Sequence, residues 1–221
     1  MNLPYLVTWV LCRSVFCTAF RLRVCNAERV PATGPVILAA NHASYFDPPL
    51  IGASLRRPLH YLARNSLFRH PASNWLLRSI NCVPVDREGG GAAGLKAIFE
   101  RLQAGAAILL FPEGTRTPDG TLHRARAGVG LAIIKSTCSV IPVRVFGTYE
   151  AYGRHHRVPR PRPLVVKFGP PVDVARLRTE AGACSRERLK AVYQEASDLT
   201  MDAVGRLEPV ADVTAFPTRR P

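Results

Sequence analysis

Val36-Ile-Leu-Ala-Ala40 is an unbroken apolar run, and Asn41-His-Ala-Ser-Tyr-Phe-Asp47 follows it without a linker. A run this short and this apolar fits a strand covered on both faces, as in a parallel sheet with helices packed against it. The turn Pro31-Ala-Thr-Gly-Pro35 introduces the strand. Asp47-Pro48-Pro49 closes the polar segment. Asp47 predicts an N-cap, Pro48 a first helical position, and 48–55 the helix itself. A strand, a polar loop and a helix in that order open an α/β unit.

The same grammar repeats along the chain. Phe20–Cys25 alternates apolar and basic residues, as a strand does, and strands are also expected at 59–63, 83–85, 107–111, 140–146 and 164–168. Helical patterns fall at 67–80, interrupted by Pro71, at 92–103, closed by Gly105, and at 128–136. Ser185 predicts the cap of a last helix, with Leu189, Val192, Tyr193, Ala196, Leu199, Ala203 and Val204 on one face. The fold class expected is α/β: a mixed, largely parallel sheet flanked by helices. No internal repeat or low-complexity block occurs.

With 221 residues and 47% hydrophobic content, the chain can bury one substantial core, which excludes intrinsic disorder as its main state. Its charge is lopsided at +14, and all but Lys96, Lys135, Lys167 and Lys190 of the 30 basic residues are arginine. Arginine grips phosphate with a planar fork, so the balance points to an anionic partner, with a compositional arginine bias as the plain alternative. The six cysteines show no CxxC spacing and read as small core residues of a reducing compartment.

Residues 3–20 are apolar almost throughout. As a helix they reach about 27 Å, just short of a hydrocarbon core of roughly 30 Å. Arg13 in the middle argues against a span, and Met1–Tyr5 carries no charge of the kind that opens a secretory signal. Trp9, Phe16 and Phe20 with Arg13 suit a helix lying in, or dipping into, one leaflet, with Arg21 and Arg23 toward an anionic cytoplasmic surface. A buried N-terminal core helix is the other reading. The expected organisation is an N-terminal membrane-associated helix over 1–20, a catalytic domain over 21–208 and a frayed tail over 209–221.

Ligands of open α/β sheets gather at the carboxyl ends of strands, and Asn41–Asp47 occupies such an end. On an extended chain His42 and Asp47 would stand roughly 17 Å apart. The turn at Asp47-Pro48-Pro49 can bring them together, and a carboxylate beside an imidazole makes a general base for a hydroxyl. Alone, the pair could equally be a helix cap and a satisfied loop histidine. Phe111-Pro-Glu-Gly-Thr-Arg116 lies at a second strand end. Gly114 permits close backbone approach, Thr115 offers a hydroxyl and Arg116 a phosphate fork. Glu113 would repel phosphate, so it is expected to hold the loop or an arginine. A turn before a polar hairpin at Thr117–Gly120 is the bland reading of this segment.

Taken together these segments resemble the PlsC-type glycerolipid acyltransferases, the lysophosphatidate acyltransferase family. Asn41–Asp47 matches the family's NHxSxxD block, Val83-Pro-Val-Asp-Arg87 resembles the second, Phe111–Arg116 matches FPEGTR and Val140-Ile-Pro-Val143 the fourth. Arg126-Ala-Gly128 resembles the basic-x-Gly before the helix that precedes the fourth block. Asn81 stands where glycine is expected, and asparagine also tolerates a left-handed backbone. The resemblance runs from about Arg21 to Val174. It implies transfer of an acyl group from a thioester, either acyl-CoA or acyl-carrier protein, to the free hydroxyl of lysophosphatidic acid. His42 would take the hydroxyl proton and Asp47 would orient it. Arg87, Glu113, Gly114, Thr115 and Arg116 would form the acceptor site. No metal or other cofactor is implied, and the setting is the cytoplasmic face of the cell membrane.

Arg64, Arg69 and Arg78 beside Leu67, Phe68, Trp75, Leu76 and Leu77 suit a surface pressed on anionic lipid, or an ordinary amphipathic core helix. Arg154-His-His-Arg157 with Arg160 and Arg162 is a Pro-rich solvated loop or a docking site for an acidic carrier protein. Nucleic-acid binding has no recognition motif behind it, and a metal hydrolase lacks a third ligand at metal-site spacing. A non-catalytic basic lipid-binding protein is the remaining alternative.

Overall fold

The computed structural model describes residues 1–85 and 92–209. Among them seven strands form one sheet: β1 (Arg23–Cys25), β2 (Val36–Ala40), β3 (Leu59–Arg64), β4 (Cys82–Val85), β5 (Ala107–Leu110), β6 (Ser139–Phe146) and β7 (Val165–Phe168). Their spatial order is β1-β7-β6-β2-β5-β3-β4, parallel throughout except for the β6–β7 pair. Helices α1 (Leu3–Ala19), α2 (Asp47–Ala53), α3 (Pro71–Ser79), α4 (Ala92–Gln103), α5 (Ala127–Lys135), α6 (Thr148–Tyr152), α7 (Ala175–Ala183) and α8 (Arg186–Gly205) complete the described chain.

β2 sits near the middle of the sheet and is buried along its whole length. Its side chains alternate between two cores. Val36, Leu38 and Ala40 join Phe16, Leu50 and Ile51 beneath α1 and α2. Ile37 and Ala39 join Ile133, Val192 and Ala196 beneath α5 and α8. Each buried aliphatic side chain stabilises the fold by about 1.5–3 kcal/mol, which is why an all-apolar run is needed here. Helices α5 and α8 meet closely at Gly130, where a Cβ would fall 1.7 Å from the Tyr193 carbonyl oxygen; the Gly130 N–H donates to Ser197 Oγ (2.7 Å).

Several expectations change. The strand expected over Phe20–Cys25 pairs only at Arg23–Cys25. The segment 67–80 is divided by Pro71: a 3-10 turn covers Asn65–Phe68, and Pro71 starts α3 instead of interrupting it. Asp47 is not an N-cap; it is the first residue of α2, Phe46 precedes it in helical geometry, and the carboxylate turns back into the preceding loop. Ser185 does cap α8, accepting from the Arg188 N–H (3.3 Å). On that helix Leu199 is exposed, while Ser197, Thr200 and Met201 are buried beside Val192, Ala196 and Val204. The small polar groups fit because each is satisfied: Ser197 Oγ donates across to the Arg126 carbonyl before α5, and Thr200 Oγ1 donates one turn back to the Ala196 carbonyl. Helices α6 and α7 were not expected. The first is one turn after the left-handed Gly147, and the second buries only Leu177. Thr117–Gly120 forms no strand pair; Asp119 Oδ1 gathers bonds from Thr117 Oγ1 and from the N–H and hydroxyl of Thr121. Of the cysteines, which are all unbridged, Cys138 is buried and Cys17 is exposed. Asn81 adopts φ +62°, in the left-handed region.

α1 packs by one face and exposes the other. Trp9 Nε1 donates to the Leu55 carbonyl (2.7 Å), Arg13 to the Ala53 carbonyl (2.8 Å), and the Tyr5 hydroxyl accepts from the Leu59 N–H (2.9 Å). Phe16 and Phe20 are buried with Phe46 in edge-on ring contacts. Trp9, Arg13, Phe16 and Phe20 therefore face the protein, and Leu3, Leu6, Val7, Val10, Leu11 and Val15 face outward. Among the described residues no helix is long and apolar enough to cross a membrane.

Candidate active site

The register of the sheet places the site. Ala39 of β2 lies opposite Leu110 of β5, so the segments after both strands leave the carboxyl end of the sheet side by side. His42 follows the first and Phe111 the second, and their rings stack with centroids 3.9 Å apart and planes 17° from parallel.

Asp47 organises the first loop. Its Oδ2 accepts from His42 Nδ1 (2.8 Å), from the Ala43 N–H (2.7 Å) and from the Ser44 N–H (2.7 Å). The chain between His42 and Asp47 thus curls around the carboxylate, and five residues of sequence become one hydrogen bond. With Nδ1 donating to Asp47, Nε2 is the nitrogen left to accept a proton. The imidazole side chain is 13% exposed, while Asp47 is wholly buried.

Two neighbours explain other letters of this segment. The Asn41 amide continues the β2–β6 ladder by side chain: Oδ1 accepts from the Val145 N–H (2.8 Å) and Nδ2 donates to the Val145 carbonyl (3.3 Å). Ser44 Oγ donates to the Tyr152 carbonyl at the end of α6 (2.7 Å) and accepts from the Phe46 N–H (3.0 Å). Neither role was read from the sequence. The available signal was two hydrogen-bonding side chains directly after a buried strand, where backbone groups lose their ladder partners.

The second loop clamps the first. Glu113 Oε1 accepts from the His42 N–H (3.2 Å), and the Thr117 N–H donates to the His42 carbonyl (2.8 Å). Glu113 therefore holds the loop, and among the described residues no arginine bonds to it. Burial pushes its carboxyl up to about 7; ionised Asp47 adds to the rise, and the His42 N–H and His123 oppose it. Gly114 has φ +71°, and a Cβ there would lie 2.8 Å from Arg126 Cδ, so this turn uses both properties of glycine. Thr115 is exposed. Arg116 is half-buried, its guanidinium lies over the Tyr45 ring 3.5 Å from the centroid, and its Nη1 is sealed from solvent without a hydrogen-bond partner among the described residues. Arg87 lies outside the described residues. The block Val140–Val143 is internal to β6, with Ile141 and Val143 fully buried, so it flanks β2 as its hydrogen-bonded neighbour in the sheet.

An apolar groove of about 350 Å³ opens beside the first loop, between α1, α2, β3 and α3. Trp9, Tyr45, Pro48, Gly52, Tyr61 and Leu77 line it. Nothing in the sequence pattern announced it, because its walls come from four separate elements.

A parallel-centred α/β sheet carrying a histidine–carboxylate pair and an arginine loop on one edge defines the class. The chain belongs to the Acyltransferase family, whose model matches residues 21–146. It is 32% identical over 99 residues to a 1-acyl-sn-glycerol-3-phosphate acyltransferase of Bacillus subtilis, covering 44% of this chain and 50% of that protein. It is 30% identical over 142 residues to the lyso-ornithine lipid O-acyltransferase of Pseudomonas aeruginosa, covering 63% of this chain and 53% of that one. The chain thus spans about half the length of these curated relatives. The crystal structure of the 1-acyl-sn-glycerophosphate acyltransferase PlsC from Thermotoga maritima superposes with a TM-score of 0.71 at 25% identity, over 93% of this chain and 81% of that one.

Proposed function

We propose that the protein transfers a fatty acyl group from an acyl thioester to the free hydroxyl of lysophosphatidic acid, giving phosphatidic acid. The observation that carries this reading is the 2.8 Å bond between His42 Nδ1 and Asp47 Oδ2, which leaves Nε2 free in a site walled by an apolar groove and an arginine loop. His42 Nε2 takes the acceptor's hydroxyl proton as its oxygen bonds to the thioester carbonyl carbon. The carbon–sulfur bond then breaks, and the imidazolium returns the proton to the departing thiolate. Asp47 stabilises the imidazolium between these two transfers. The reaction passes through no acyl-enzyme, so no cysteine acts as nucleophile. Arg116, with the Gly114–Thr115 backbone, holds the acceptor's phosphate, and the groove takes an acyl chain. Arg87 is assigned to the same phosphate on sequence alone. The donor is acyl-CoA or an acyl-carrier protein; no resident cofactor takes part.

Both substrate and product are lipids, and we assign the bilayer seat to the outward face of α1 together with Leu67, Trp75 and Leu76, all exposed. The protein would sit on the cytoplasmic face of the cell membrane with α1 lying in one leaflet. Release of free thiol from an acyl thioester, measured with and without lysophosphatidic acid, tests the activity: acceptor-dependent release is expected, and its absence with both donors refutes the reading. The Pseudomonas relative's name supports one variant, an amino-acid-headed lysolipid as acceptor. Turnover of such an acceptor in preference to lysophosphatidic acid would replace the first acceptor with the second.

A further inference from the structure

We propose that Tyr45 is a positioning residue that holds the Arg116 guanidinium flat and aims its edge at the acceptor's phosphate. This rests on the reading of Arg116 as the phosphate-holding residue. The two side chains come from different loops: Tyr45 lies between His42 and Asp47, and Arg116 closes the segment after β5. The guanidinium carbon stands 3.5 Å from the Tyr45 ring centroid, the distance of a stacked cation. Stacking uses the face of the guanidinium. Hydrogen bonding to an anion uses its edge, so the stack fixes the plane and leaves the fork available. That edge includes Nη1, which is sealed from solvent and meets no acceptor among the described residues. A buried cationic donor without an acceptor costs free energy, and an anion that reached it would recover that cost.

Three further observations favour positioning over simple packing. Tyr45 is 51% exposed, so core filling does not explain a large aromatic there. Its ring also meets the Tyr152 ring (centroids 5.3 Å), and the Arg154 guanidinium donates to the Arg116 carbonyl (3.4 Å), so residues at and just after the end of α6 contact both members of the pair. Tyr45 also lines the apolar groove, which places the stacked pair where a chain-bearing substrate would meet its charged head.

The test is steady-state kinetics of acyl transfer by the full chain, with lysophosphatidic acid and acyl thioester varied separately. Tyr45→Leu keeps an apolar groove wall and removes the ring face. It is expected to raise the KM for lysophosphatidic acid about 3- to 30-fold, the span between exposed and desolvated cation–π contacts, and to raise it well beyond any change in the KM for the thioester. Tyr45→Phe restores the face and is expected to keep the acceptor KM within about twofold of the wild type. In an Arg116→Ala background, Tyr45→Leu should add nothing. An unchanged acceptor KM in Tyr45→Leu, a defect equal in Tyr45→Phe, or an additive defect in the double variant would each overturn the proposal. Should Tyr45→Leu not fold, as judged by its thermal transition, Tyr45→Met is the second non-aromatic variant and is read the same way. A wild-type protein that releases no thiol in response to lysophosphatidic acid would instead refute the reaction, which separates the two failures.

Discussion

Replacing Asp47 by asparagine and by alanine should separate two jobs that one oxygen performs. Oδ2 accepts from two backbone N–H groups, of Ala43 and Ser44, and from the His42 imidazole. Asp47→Ala leaves the two buried backbone donors without a partner, at about 1–3 kcal/mol each, so folding stability should fall by roughly 2–6 kcal/mol. In a chain of this size that lowers Tm by roughly 5–25 °C. Asp47→Asn can present its amide oxygen to the same three donors, and its NH2 takes the place of Oδ1, which has no partner to lose. Stability should therefore stay close to the wild type. What asparagine lacks is the charge that stabilises an imidazolium, so turnover should drop by about 10²–10⁴. Thermal melts and acyl-transfer rates on the same samples make the comparison. An Asp47→Asn protein that is both stable and fully active would refute the reasoning, because Asp47 would then serve only to shape the loop.

The other predictions concern the rest of the site and its seat. Arg116→Lys keeps a charge and loses the planar fork, so the KM for lysophosphatidic acid should rise with little change for the thioester; a defect confined to the thioester would place Arg116 in the wrong pocket. Glu113 has a folded value of about 7 against an ordinary 4.5, so its stabilising contribution is complete below about 4.5 and is lost as pH rises through about 7. Glu113→Gln cannot titrate, so its Tm should hold while the wild type loses roughly 3 kcal/mol over that window; parallel Tm curves would contradict the assignment. Val7→Glu combined with Leu11→Glu charges the outward face of α1 and should release the protein from vesicles without altering its melt. The wild type should stay bound in high salt, because apolar insertion is not screened as charge attraction is; salt-driven release of the wild type would move the seat to the arginines.

Local signals carried much of the architecture. Val36–Ala40 coincides with β2 and Ala92–Gln103 with α4, because an unbroken apolar run and a glycine-closed amphipathic pattern are both strong and short-ranged. α7 escaped because its burial rests on Leu177 alone, so no apolar stripe exists to read. Asp47 shows the limit at the site. The expected pairing with His42 is there, yet the expected helix cap is not, since Asp47 begins α2 and turns its carboxylate backward onto the Ala43 and Ser44 N–H groups. Cap preference is a statistical property of a position, whereas the fate of a buried carboxylate depends on which donors the tertiary fold brings to it. Contacts between distant segments were illegible for the same reason. Tyr45 under Arg116, Phe111 against His42 and the four-sided groove all depend on sheet register, which places β2 beside β5. The N-terminal segment differs from the expectation in which of its residues face outward. Trp9, Phe16 and Phe20 suit lipid by residue type, but Trp9 bonds the Leu55 carbonyl after α2 and the two phenylalanines pack on Phe46.

Acyl transfer by a folded His42→Ala protein tests the central claim most directly. His42 lies in a loop at the end of β2, held through its own backbone by Glu113 and Thr117, so alanine keeps both clamps and the fold should survive. The account predicts a folded protein with a cooperative thermal transition and a fall of about 10²–10⁴ in lysophosphatidate-dependent thiol release, the loss typical of a general base. Near-normal turnover by a purified, folded His42→Ala protein would contradict it.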